Sequence, residues 1–109
     1  MNLTRHTTLA NNTEQATTPT ARRVGLLGRD GLDYGDALHI TQAKSIHTVG
    51  MRFPIDVVLV DKKGNVVRTA ANVGEGKQVS HPQADSVLEL PVGIIQQSRT
   101  VAGDRLVMR

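Results

Sequence analysis

The chain is punctuated by short alternating apolar runs rather than by helical stripes. The clearest is Ile55–Val60, in which Ile55, Val57 and Leu59 are expected on one face of a strand. Asp56, Val58 and Val60 fall on the other face, so only the first position of that face is polar. A strand so apolar on both sides is expected to be covered on both sides, with Asp56 at its rim. Pro54 sets its start by favouring an extended Phe53. Asp61-Lys62-Lys63-Gly64 then separates it from a second β-branched run, Val66–Thr69, which predicts a tight hairpin with Gly64 at positive φ. Asp85–Leu90 alternates in the same manner and ends at Pro91 and Gly93.

Weaker signals fill the remainder. Leu3–Leu9 is Thr-rich and predicts an edge strand, Ala37–Ile40 a short extended segment, Ser45–Thr48 another strand and Arg105–Met108 a closing one. Thr18-Pro19 combines an N-cap with a proline at the first helical position, so Pro19–Leu27 is expected to be helical, closed by Gly28, with Gly25 permitting close approach. Ile94–Arg99 is expected as a single helical turn or an extended segment, Gln96 and Gln97 favouring the helix, and Ala71–His81, with Gly74 and Gly76, as a surface loop. Six or seven short strands with one or two short helices predict a mainly β fold, a small antiparallel sandwich or partly open barrel. The length, 109 residues, suits one domain over 1–109, with 1–10 an edge strand or loosely ordered terminus.

Composition narrows the chemistry. Aromatic residues make up only 2%, Tyr34 and Phe53, which removes the stacking platforms used to read single-stranded nucleic acid. The net charge of +3 comes from scattered basic residues rather than a stripe, so no nucleic-acid partner is expected. The absence of cysteine excludes disulfides, thiolate nucleophiles and Cys-ligated metals. No run reaches the roughly 18 apolar residues of a membrane span. The N-terminus lacks the apolar core of a secretion signal, so a cytoplasmic location is expected, with an envelope location if a signal has been removed.

The candidate polar set is Arg29, His47, Met51, Arg52, Asp56, Glu89 and Asp104. His47 with two carboxylates could hold Zn or Mn, but the spacing matches no ligand pattern, and no metal or cofactor is assigned. His47 with Asp56 or Glu89 could serve as an acid–base pair. Against this, a carboxylate opening an apolar strand needs an Arg or backbone N–H groups, and Arg52 or Arg29 would meet Asp56 in a clamp. Met51 is expected to fill a gap beneath that loop.

Four ordered blocks carry a resemblance: Arg23–Arg29 (RVGLLGR), His47–Asp61 (HTVGMRFPIDVVLVD), Val87–Gly93 (VLELPVG) and Gly103–Leu106 (GDRL). In order and spacing they resemble the bacterial and archaeal family called domain of unknown function 192, also uncharacterised protein family 0127, across roughly Leu9 to Val107. The resemblance implies a compact β sandwich or barrel with short helices, and recurring polar positions at Arg29, Met51, Asp56, Glu89 and Asp104. It implies no substrate and no catalytic set. Many relatives carry a secretion signal or lipoprotein anchor, which this N-terminus does not display. The expected role is a binding or accessory module for a small polar or anionic ligand. The alternatives are a protein–protein interaction module and a hydrolase-like enzyme using His47 with Asp56 or Glu89.

Overall fold

The computed structural model describes residues 1–107. Seven strands and two short helices follow one another as β1 (Asn12–Ala16), α1 (Pro19–Val24), β2 (Asp36–Thr41), β3 (Ser45–His47), β4 (Ile55–Val60), β5 (Val66–Val73), β6 (Gln78–Ser80), β7 (Ser86–Leu90) and α2 (Ile94–Ser98). Five strands form one sheet in the order β1-β2-β7-β4-β5, and β3 pairs with β6 in a second, two-stranded sheet. Among the described residues the sheets do not close into a barrel. The pairing is antiparallel throughout except at the edge, where β1 runs parallel to β2.

β4 occupies the bounds its hydrophobic pattern predicts and all six of its residues are buried. Its two faces feed two apolar layers. Ile55, Val57 and Leu59 join Leu26, Leu38, Ile40, Ile46, Met51 and Val87 on one side. Val58 and Val60 join Leu9, Val66, Leu88, Leu90, Ile94, Ile95 and Leu106 on the other. The large sheet is thus a septum with a core on each side, which explains why β4 shows so little alternation.

The hairpin after β4 is closed by Asp61, whose Oδ1 accepts the N–H groups of Lys63 and Asn65 at 2.9 Å each. Gly64 has φ +88°, and a Cβ there would meet the Leu106 carbonyl oxygen at 2.6 Å, so glycine is required on both counts. α1 begins as its cap predicts, Ala21 N–H donating to Thr18 Oγ1 at 3.0 Å, but it ends at Gly25 rather than Gly28. Gly25 takes φ +52° and thereby stops the helix one turn early.

Three expectations are corrected. Ala71–His81 is not a loop throughout: β5 runs on to Val73 and β6 covers Gln78–Ser80. A strand at the margin of a sheet is held by ladder hydrogen bonds and needs few apolar side chains, so the polar composition of this stretch misleads. The first strand lies at Asn12–Ala16, not at Leu3–Leu9, which instead forms turns between the bridging positions Asn2 and Thr7. The closing strand at Arg105–Met108 reduces to single bridges, Asn65 with Arg105 and Asn2 with Leu106, while Met108 lies outside the described residues.

These bridges join the two ends of the chain around Asp104. Its carboxylate Oδ2 accepts from Asn2 Nδ2 and Arg5 Nε at 3.0 Å and from Val101 N–H at 3.1 Å. Burial pushes this carboxyl up, but the hydrogen bonds from Asn2, Val101 and Arg5 outweigh it and hold it below its ordinary value. Asn2 Nδ2 also donates to Thr100 Oγ1 at 3.0 Å. Asp104→Ala removes one of the two acceptors of the buried Asn2 amide and the acceptor of both Arg5 Nε–H and Val101 N–H, and is expected to cost about 3 kcal/mol. Urea unfolding measures it; a loss under about 0.5 kcal/mol, the level of an ordinary surface substitution, would show the cluster to be ornamental.

Candidate functional site

The hollow beneath α1 gathers the chemistry. It has a volume of about 410 Å³ and lies between α1 with its following turn, the end of β2, the β2–β3 connection, β3 and the Glu89 side chain of β7. Leu26, Leu27, Ile40, Ile46 and Met51 supply apolar wall; Arg22, Arg23, Lys44 and His47 supply the basic side chains. Glu89 is the one acid in this lining.

The sheet register explains why Glu89 points here. It stands on the same face of β7 as Val87, between Leu38 of β2 and Val57 of β4. Only 4% of it is exposed, yet among the described residues its carboxyl has no hydrogen-bond donor. Burial raises its pKa to about 7, against a smaller opposing pull from the Arg29 guanidinium. A Cβ on Gly25 would lie 3.5 Å from Glu89 Oε1, an ordinary contact, so backbone geometry rather than crowding makes position 25 glycine.

The cations around the hollow differ in freedom. Arg22 Nη2 donates to the Thr17 carbonyl at 2.6 Å and to Gln42 Oε1 at 3.0 Å, bracing α1 against the β2–β3 connection. Lys44 Nζ donates to the carbonyls of Pro82 and Ala84 at 2.9 and 3.2 Å, which fixes its charge in place. Arg23 is exposed and, among the described residues, has no protein partner. His47 is exposed at the mouth, with no carboxylate hydrogen-bonded to its ring among the described residues.

Of the seven candidates read from the sequence, the structure brings His47, Met51 and Glu89 together and places Arg29 near enough to act on Glu89 electrostatically. It separates the others. Arg29 Nη2 pairs with Glu14 Oε2 at 2.8 Å. Arg52 pairs with Asp30 at 2.9 Å, and both are exposed, so the pair contributes little. The expected clamp between an arginine and Asp56 does not form.

Asp56 is fully buried on the opposite face of the sheet and is met by backbone instead. Its Oδ1 accepts from Asn72 N–H at 2.8 Å, and its Oδ2 from Gly93 and Ile95 N–H at 3.1 and 2.9 Å. Asp56 therefore caps α2 from a distance, for that helix has no side-chain cap of its own. This also removes the His47–Asp56 acid–base pair. Asp104 belongs to the terminal cluster described above. His47 and Glu89 with a second carboxylate do not assemble, and among the described residues no group of three metal-ligating side chains is found.

Arg22, Arg23 and Lys44 line the hollow without belonging to the polar set that the sequence marks. His39, also outside that set, is buried on β2, where its Nδ1 lies 2.8 Å from Gln15 Oε1. Burial pushes this imidazole below its ordinary value, with the Asp85 carboxylate pulling weakly the other way. A separate hollow of about 310 Å³, lined by Leu3, Leu9, Leu88 and Leu106 among others, has no ionisable side chain in its lining.

Residues 1–108 match the family DUF192, described as Uncharacterized ACR. The chain belongs to the DUF192 family. No curated protein matches it. Among solved structures it is similar to a protein of unknown function from Novosphingobium aromaticivorans, with a TM-score of 0.80 and 19% identity over 88% of this chain and 74% of that one. It is also similar to a protein from Sinorhizobium meliloti provisionally described as a transcription regulator, with a TM-score of 0.77 and 19% identity over 85% of this chain and 78% of that one. At such identity the likeness establishes the DUF192 fold and no activity. Among the described residues no helix is long and apolar enough to cross a membrane.

Proposed function

We propose that this DUF192 chain is a binding module for a small monoanion with an apolar body, taken up in the hollow beneath α1. The observation that supports the reading most is a buried, unpartnered carboxyl in a cavity whose other charged lining residues are all basic. The volume of about 410 Å³ suits a small molecule. The apolar wall of Leu26, Leu27, Ile40, Ile46 and Met51 would take the ligand body, and Arg22, Arg23 and Lys44 would attract its charge into the hollow.

Butyrate, hexanoate and octanoate are suitable probes, titrated into isotope-labelled protein while backbone amide resonances are followed. Shifts are expected at Gly25, Gln42, Ile46 and Met51. Arg23→Glu, at an exposed site, is expected to weaken binding about tenfold, equivalent to about 1.4 kcal/mol. Shifts scattered over the whole surface, or binding indifferent to Arg23→Glu, would overturn the reading.

A hydrolase-like role keeps one supporting feature, a carboxyl titrating at about 7 in the same hollow as His47. The Ser45 hydroxyl in that lining accepts from Gln78 Nε2 and, among the described residues, has no hydrogen bond to the His47 ring, so this reading ranks second.

A further inference from the structure

We infer that an anion entering the hollow beneath α1 is bound together with one proton, Glu89 being held as the neutral carboxylic acid and donating its O–H to the ligand's oxyanion. This rests on the anion-binding reading above and adds its regulation by pH.

Glu89 lines the cavity between two apolar neighbours in the sheet, Leu38 and Val57. Among the described residues no N–H or O–H of the protein donates to it, so nothing built into the site stabilises a carboxylate there. Two negative oxyanions in such a poorly solvated space repel each other strongly, whereas a carboxylic acid beside a carboxylate forms a short, charge-assisted hydrogen bond. The proton comes from solvent and goes to one Glu89 oxygen; no other bond is made or broken.

The charged groups around Glu89 do not remove the need for that proton. On α1, Arg22 is turned to the Thr17 carbonyl and Gln42, and Arg23 is exposed. Beyond α1, Arg29 favours the ionised form, but its guanidinium is hydrogen-bonded to Glu14 of β1. From the β2–β3 connection, Lys44 is anchored to two backbone carbonyls, and His47 of β3 is exposed at the mouth. All five basic groups can attract an incoming anion, and none donates a hydrogen bond to Glu89. The rise of its pKa to about 7 agrees with this picture and puts the coupling in the neutral range.

Calorimetric titration of the full chain with hexanoate, run in two buffers of different ionisation enthalpy, reads the proton directly. Hexanoate itself stays ionised across the range. Uptake close to one proton per ligand is expected near pH 8, falling towards none near pH 6, with the apparent affinity about tenfold weaker at the higher pH. Glu89→Gln is expected to bind hexanoate without proton uptake and with the pH dependence abolished. His47→Gln is expected to retain the uptake, which separates Glu89 from the imidazole at the mouth. Binding without proton exchange, or uptake that survives Glu89→Gln, would overturn the inference while leaving the anion site standing. Absence of binding by any of the three fatty acids at either pH would remove both.

Discussion

Asp56→Ala is expected to destabilise the protein by about 4 kcal/mol. Three backbone N–H groups, those of Asn72, Gly93 and Ile95, lose their acceptor at once. Each is accepted by the Asp56 carboxylate, and alanine offers no acceptor in its place. The register of β4 against β5 shifts between Ile55 and Val57, and Asn72, in that interval, takes φ +51°. The irregularity exposes the Asn72 N–H to Asp56 rather than to a neighbouring strand. The five-residue helix α2 opens on Gly93 at φ +103°, a residue with no side chain to cap it. One carboxylate thus holds both a strand irregularity and a helix start. Asp56→Asn is expected to lose about half as much, because its amide oxygen can still serve Gly93 and Ile95 while its NH₂ faces Asn72 N–H. Urea unfolding of the two variants checks the order; equal losses would mean that negative charge, and not the count of acceptors, stabilises the junction.

The fate of Asp56 also marks how far the sequence could be read. Strand β4 was legible to the residue because Pro54, an unbroken apolar run and the Asp61–Gly64 turn each act locally. The cost of a carboxylate on that strand was legible too, as was the requirement that something meet it. Its partners were not. Arg52 is four residues away in sequence, but the Phe53-Pro54 bend sends it to Asp30 on the surface, whereas Gly93 and Ile95 are 37 and 39 residues away. Backbone donors of an irregular segment carry no side-chain signal. The candidate site was half-legible for a similar reason. Glu89 could be placed on the Val87 face of its strand, but only the early stop of α1 at Gly25 and the path of the chain through Leu26 to Arg29 make that face the floor of a hollow. Arg22 and Arg23, two consecutive residues in the last turn of a short helix, carry no local pattern that marks a site.

Glu89→Gln is expected to stabilise the protein, by up to about 3 kcal/mol above neutral pH and not at all near pH 4. The sign follows from the direction of the shift. The carboxyl has an ordinary value of 4.5 and rises to about 7 in the folded protein, so the folded state binds the proton more tightly than the unfolded chain does. Its contribution to stability is therefore fully present below about 4.5, declines as pH rises towards 7 and is lost above that. A glutamine has the shape of the protonated acid and never ionises. The difference between variant and wild type should then grow across that window and level off beyond it, unlike the His39 contribution, which falls as pH is lowered because burial depresses that imidazole. Wild type and Glu89→Gln share His39, so subtracting their unfolding free energies at each pH isolates the carboxyl. A difference that stays flat from about pH 4 to pH 8 would mean that Glu89 ionises freely, and that neither its burial nor the silence of the surrounding donors matters. A rising difference would establish that the fold maintains, at its own expense, an acid poised to be neutral, and that expense is the physical reason to look for an anion in front of it.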